Sequence, residues 1–285
     1  MDETRSARAG AGDDRSTRSL DRHTVEGFGD EWTTYDQGDR DPESIRRSFE
    51  RYVAEFPWPP EGAIGIDVGA GSGRWAAQVM GRGRRVVALD ASADALAVCR
   101  RNAPDAPAVN GSAVELPFAD GSFDFAISLG VLHHLPDTEG AVREIHRVLR
   151  PGAPFLVYLY YAFDNRPRWF RLLWQASDVL RRTLSEAPFK VRLGVTRVIA
   201  YTVYWPLSRL SRIAERLGLG VDSFPLSGYR QQPMYVLRTD ALDRFGTRLE
   251  KRYTRSEIEA LLVDQGFTDI RFNPEFPFWC AVGRA

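Results

Sequence analysis

The segment Ile66-Asp67-Val68-Gly69-Ala70-Gly71-Ser72-Gly73-Arg74-Trp75 sets three alternate glycines between an apolar run and a helix-forming run. Glycine lets a backbone turn sharply and approach a ligand closely, and the first turn of a helix offers free N–H groups. Asp90 closes the next apolar run, where a carboxylate can accept hydrogen bonds from a ribose diol. A dinucleotide fingerprint would put a third glycine at position 74. Arg74 stands there, and its bulk opposes the close helix–strand packing which that glycine permits, so a nicotinamide cofactor is disfavoured.

A second set of reactive side chains comes later. His133 and His134 are adjacent at a helix start, so one is expected to point inward and the other outward. An inward His133 that met Asp164 would be a general base held by a carboxylate. The competing expectation is that alignment of the reactants suffices, since proximity alone supplies much of a rate. Tyr158, Tyr160 and Tyr161 end one apolar run, and Tyr160 is the candidate to line the pocket. The chain has four histidines, of which only this pair is adjacent, and no carboxylate spacing supports a metal site. Its two cysteines form no CxxC pair and cannot staple a chain this long; Cys99 reads as inert core.

Elements that would position these residues follow from periodicity. Runs at 63–68, 85–90, 108–110, 123–129 and 154–161 read as strands, with helices at 74–80, 92–102 and 138–150 between them. Near-continuous apolar strands alternating with helices mean a parallel sheet covered on both faces. Before the first strand, Asp41-Pro42 gives an N-cap and a first-turn proline, and Ile45, Phe49, Tyr52, Val53 and Phe56 share a helical face. The stretch from Phe28 to Tyr35 is aromatic-rich without clear period. After residue 162 the alternation breaks, with helical stretches at 169–184 and 193–217. It resumes at Thr254-Arg-Ser-Glu257, a capping box, followed by strands at 268–273 and 278–283. The expected organisation is a disordered tail (1–22), a lid segment and helix (23–60), a ligand-binding core (61–162), a helical substrate-cover insertion (163–248) and the C-terminal part of the core (249–285).

Composition narrows the classes further. Of 285 residues, 44% are hydrophobic and 27% charged, ordinary for a globular protein. Lys+Arg and Asp+Glu both number 38, so no basic excess marks a nucleic-acid binder. The first 22 residues lack the apolar centre of a signal peptide, and the charge-free stretch at 198–208 falls short of the roughly 20 residues of a membrane span, so a cytoplasmic location is expected. The zero total hides an asymmetry: 163–248 holds 15 Lys+Arg and 7 Asp+Glu, a net +8, leaving −8 elsewhere. The insertion reads as a solvated lid or homodimer surface, or as arginines that hold an anionic acceptor. Its aromatics, among them Trp169, Trp174, Tyr201 and Trp205, read as core. The alternatives are an apolar acceptor pocket or a membrane-interfacial face beside Arg197, Arg209 and Arg212.

The glycine loop and Asp90, joined by the run from Asn110 through Ser112, Ala113 and His133-His134 to Asp137 and by Glu144-Ile-His-Arg-Val-Leu-Arg-Pro-Gly152, resemble the class I S-adenosylmethionine (SAM)-dependent methyltransferases. The resemblance covers 62–161 and resumes over 250–283. It implies a Rossmann-like α/β fold: a seven-stranded, mostly parallel sheet with helices on both faces and an antiparallel last strand, here carrying a mainly helical insertion after the fifth strand. It also implies that Asp67, Gly69, Gly71 and Gly73 surround the methionine and ribose of SAM, and that Arg74 meets the methionine carboxylate. Asp90 would take the ribose hydroxyls, and the Leu129 carbonyl the ammonium group. Ser112 and Ala113 would border adenine; the family usually has an acid at the first of these positions, so Ser112 implies a weaker contact. Trp32 and Tyr35 would fold over SAM as an aromatic lid. The implied activity is methyl transfer to an O or N atom, less readily C, of a small-molecule acceptor of natural-product or sugar type, anionic acceptors included. The alternative is other chemistry on SAM, such as cyclisation of its aminobutyryl chain.

Overall fold

The computed structural model describes residues 21–38, 40–221, 224–273 and 279–285. Seven strands form one sheet: β1 (Ile64–Val68), β2 (Arg85–Asp90), β3 (Ala108–Asn110), β4 (Phe125–Leu129), β5 (Pro154–Tyr158), β6 (Thr268–Phe272) and β7 (Cys280–Arg284). Their order is β3-β2-β1-β4-β5-β7-β6, with β1 to β5 parallel and β7 antiparallel to both neighbours. The strand order reverses beside β1, so the crevice at the carboxyl ends of β1 and β4 is where a ligand binds in an open α/β sheet. Every residue of β4 is buried, as a strand covered on both faces requires.

Two apolar layers cover the sheet. One joins Phe49, Trp75, Val86, Leu96, Phe125 and Ile127; the other joins Ile66, Leu89, Ile145, Phe155, Ile258 and Phe267. The first helix, α1 (Arg22–Thr34), lies where the sequence shows no periodicity, because it buries Thr24, Gly29 and Glu31 in place of an apolar stripe. Gly29 lets it press on the core: a Cβ there would come within 2.7 Å of Ser92 Oγ. Next come α2 (Pro42–Tyr52), α3 (Arg74–Met80), α4 (Ala93–Asn102) and α5 (Thr138–Val148). The side chain of Ser92 caps α4 through the Ala95 amide, and that of Asp137 caps α5 through the Gly140 amide.

Between β5 and the last helix stands a separate helical lobe, made of α6 (Arg168–Leu184), α7 (Phe189–Ile199), α8 (Trp205–Arg216) and α9 (Met234–Gly246). A π-helical turn, Ala200–Tyr204, fuses α7 to α8. Helix α9 occupies a stretch where the sequence shows only proline and glycine punctuation. Leu184, Ala200, Tyr204, Leu237, Ala241 and Phe245 give the lobe its own small core. Then α10 (Arg255–Asp264) begins at the Thr254–Glu257 capping box. β5 is shorter than the 154–161 run, because Tyr161 leaves it to pair with Tyr253. The expected tail lies outside the described residues up to residue 20, and so does residue 278 of the expected last strand. No helix among the described residues is long and apolar enough to cross a membrane.

Candidate active site

The chain leaves β1 through glycines that nothing else could replace. Gly69 and Gly71 have φ of +80° and +53°. A Cβ would come within 2.3 Å of Val131 Cγ1 at position 69 and 2.7 Å of Trp32 Nε1 at position 71. Gly73, also left-handed, ends the turn as the N-cap of α3. At the carboxyl end of β2, Asp90 ties this loop down: one oxygen accepts the Gly71 N–H and the other the Ser92 N–H, both at 2.8 Å. Burial raises its pKa, and the amides of Ser92, Gly71 and Ala91 oppose that rise.

Asp67, one residue before the end of β1, is 1% exposed, and neither oxygen makes a regular hydrogen bond. Burial, then the charge of Asp90, push its carboxyl up to about 7, opposed by Arg74 and weakly by the Ala76 amide. A buried carboxylate without donors is costly to ionise, which agrees with its raised pKa. Arg74 opens α3 with its guanidinium 5.1 Å from the centre of the Trp32 ring and 4.5 Å from that of Trp75. Tyr35 is buried just past α1, edge-on to Tyr235, with its hydroxyl unpartnered. Beyond β3, Ser112 Oγ accepts the Val114 N–H at 3.3 Å and Ala113 is buried. Glu144 steadies that loop by accepting the Leu116 N–H and pairing with Arg147. Leu129 ends β4, buried.

Both histidines lie in a short 3₁₀ turn, Leu132–His134, and both are buried, contrary to one inward and one outward. His133 stacks on Tyr160 with ring centres 3.8 Å apart, and its Nδ1 faces the Tyr160 N–H at 3.4 Å. Burial first, then His134 and Arg252, hold its pKa well below the ordinary histidine value. Asp164 does not reach it. That carboxylate is exposed and accepts from Trp279 Nε1 and the Arg255 amide, at the start of α10. The carboxylate that does meet the pair is Asp243, from α9. His134 Nδ1 donates to the Leu249 carbonyl at 2.7 Å, and its Nε2 faces Asp243 Oδ1 at 3.8 Å. The Tyr160 hydroxyl donates to the other oxygen of Asp243.

The surroundings of Asp243 are acidic and phenolic. Glu31 of α1 is 4% exposed; burial, then the charges of Asp243 and Asp240, hold its carboxyl well above the usual range. Asp240, bonded by Tyr229, is pushed up to about 6 by burial and Asp243. Arg74 and Arg40 oppose that shift. Three of the lobe's arginines serve the scaffold. Arg181 pairs with Asp178 and donates to the Thr247 and Arg248 carbonyls, Arg192 donates to Gly246, and Arg244 faces Asp178 and Glu250. These three arginines hold the lobe together. The sequence signal for the acidic pair was slight: two aspartates three apart on one helix of a basic insertion.

Residues 66–157 match the family model of a methyltransferase domain. Over this third of the chain it is similar to methyltransferase domains. That similarity implies S-adenosylmethionine as the cofactor. An uncharacterized methyltransferase of Mycobacterium bovis is 32% identical over 146 residues, 51% of this chain and 56% of that protein. A demethylmenaquinone methyltransferase of Renibacterium salmoninarum is 38% identical over 112 residues, 39% of this chain and 47% of that protein. This chain thus spans about half the length of the curated relatives it matches. A Haloferax volcanii methyltransferase, solved with the Trm112 methyltransferase activator, superposes with a TM-score of 0.52 at 16% identity, covering 90% of this chain and 97% of that one; it shares the fold.

The glycine loop and the strand ends beside it carry groups that would fit this cofactor. Asp67 has a buried, unpartnered carboxylate that would suit its cationic portion, near Asp90, which accepts the Gly71 amide.

Proposed function

We propose that the chain is a SAM-dependent methyltransferase that methylates an oxygen or nitrogen of a small-molecule acceptor held under the helical lobe, at the carboxyl ends of β4 and β5. The observation that carries this reading is the unpartnered, buried Asp67 carboxylate beside Asp90 on the glycine loop. When bound, SAM supplies an electrophilic methyl group on a sulfonium centre.

The chain's own residues divide the remaining work. Asp90 has lone pairs beyond those used by Gly71 and Ser92, and these would accept ribose hydroxyls. Arg74 would hold the methionine carboxylate and the Leu129 carbonyl the ammonium, while Ser112 and Ala113 would border adenine, with Trp32 and Tyr35 above. His134 Nε2 is the candidate base. With Nδ1–H committed to Leu249, Nε2 of the neutral ring carries a lone pair directed toward the Asp243 carboxylate. An N–H or O–H donor placed to one side of the 3.8 Å line between Nε2 and Asp243 Oδ1 would reach both atoms at hydrogen-bond distance. Tyr160 would keep Asp243 oriented. Because Glu31, Asp240 and Asp243 converge on this space, an amine or polyhydroxyl acceptor fits better than an anion.

The test is to incubate the protein with SAM and panels of amines, sugars, phenols and carboxylates, recording the mass of both products. S-adenosylhomocysteine with a singly methylated amine or alcohol is the expected result. Methylthioadenosine would mean cyclising chemistry, and a methylated carboxylate would overturn the acceptor class.

A further inference from the structure

The helical lobe is built inside out. On α6, Trp169, Leu172, Leu173, Val179 and Leu180 follow spacings of three, four and seven residues, the pattern of a buried stripe. That stripe faces outward: Leu172 is 65% exposed and Val179 68%, while Asp178 and Arg181 are buried. The fused α7–α8 rod repeats the inversion. It buries Arg192, Thr196, Ser208 and Ser211 and exposes Val198, Tyr201, Trp205, Ile213 and Leu217. Among the described residues, seventeen large apolar side chains are strongly exposed, and all but Val263 lie between 169 and 224. So concentrated an apolar surface marks an interaction site.

Charge decides what it meets. Arg168, Arg171, Arg197 and Arg216 are exposed around this surface and make no side-chain hydrogen bond or ion pair among the described residues. The acids beside them are already engaged: Glu186 pairs with Arg248 and Glu215 with Arg230. The outer face therefore presents unpaired positive charge around apolar and aromatic side chains. We propose that this face seats the protein on an anionic lipid surface, lying in the interface without spanning it. Trp169, Tyr201 and Trp205 are the side-chain types that settle at headgroup depth. A two-fold dimer through the same face would oppose like rows of arginines, whereas anionic headgroups complement them.

The proposal stands apart from the acceptor reading and is tested without turnover. The full chain is sedimented with phosphatidylcholine vesicles and with an equimolar mixture of phosphatidylglycerol and phosphatidylcholine. It should pellet with the mixed vesicles, remain in solution with the neutral ones, and be released by high salt. The double variant Leu172→Glu, Val198→Glu should reduce the bound fraction by about tenfold or more. Both side chains are exposed, so an unchanged thermal melt and circular dichroism spectrum separate lost binding from misfolding. Equal binding to both vesicle types, binding to neither, or no effect of the double variant overturns the proposal. So does a dimer in light scattering that the variant converts to monomer, which would make the face a contact between copies.

Discussion

His134 Nε2 and Asp243 Oδ1 face each other 3.8 Å apart, although 109 residues separate the two side chains in the chain. One histidine nitrogen is fixed by the Leu249 carbonyl and one Asp243 oxygen by the Tyr160 hydroxyl, so the remaining atoms are oriented toward each other. The neighbouring histidine is as buried as His134 but differs in its partners. His133 is fully enclosed, and burial keeps it neutral against Tyr160.

That difference predicts opposite phenotypes for adjacent residues. His134→Ala should lower kcat by about 10²-fold or more while leaving the SAM dissociation constant unchanged. His133→Ala should instead destabilise the fold by about 2–4 kcal/mol, because it empties a packed site beside Tyr160. Steady-state kinetics with calorimetric SAM titration and urea unfolding measure both. A His134→Ala enzyme within tenfold of native kcat would move the proton to another group or leave alignment as the source of rate.

Asp90→Ala removes a carboxylate that accepts the Gly71 and Ser92 amides and is placed for ribose. SAM binding should weaken by roughly 1.5–3 kcal/mol, the range for hydrogen bonds to a charged group. Calorimetry on a variant with a native-like melt is the measurement; unchanged affinity would remove Asp90 from the cofactor site.

The sheet was readable because its strands announce themselves. Ile64–Val68 and Phe125–Leu129 are short apolar runs between turn residues, and glycine punctuation after the first places the loop. Helix α1 was not readable as a helix, since its inward face carries Thr24, Gly29 and Glu31. The cofactor half of the site is local in sequence, from Asp67 to Asp90. The acceptor half is not: Asp243 reaches Tyr160 and His134 only after four lobe helices have folded, and no local pattern records that approach. Asp164 looked suitable by chain proximity to β5, but the chain turns away there and delivers it to Trp279.

The raised carboxyls give the ligand-free protein a defined pH response. Asp67 stands near 7 when folded and in the ordinary aspartate range, near 4, when unfolded. Below about 4 both states hold the proton and the group costs nothing. As pH rises toward about 7 the unfolded chain ionises first, so the folded state loses on the order of 3–4 kcal/mol of stability across that window. Asp67→Asn should remove this loss: its stability relative to native should grow between about pH 4 and pH 8 in urea titrations. Parallel curves for the two proteins would show that the Asp67 carboxyl is not held protonated.

Trp32 ties the N-terminal helix to the glycine loop. Its indole lies against Gly71 and within cation–π distance of Arg74, so it reports on the loop from above. Trp32→Ala should weaken SAM binding by about 0.5–2 kcal/mol, through lost cation–π and packing contacts around Arg74. Trp32→Phe should recover part of that loss, because a smaller ring still covers the loop. Gly71→Ala should be worse than either. Its φ of +53° disfavours any side chain, and the new methyl would meet the indole at 2.7 Å. The double variant Gly71→Ala, Trp32→Ala separates the two causes: relief of the clash should restore part of the binding, and the backbone penalty of about 1 kcal/mol should remain. If the double variant binds SAM no better than Gly71→Ala alone, Trp32 does not occupy the space over Gly71 in solution, and the lid assignment falls with it.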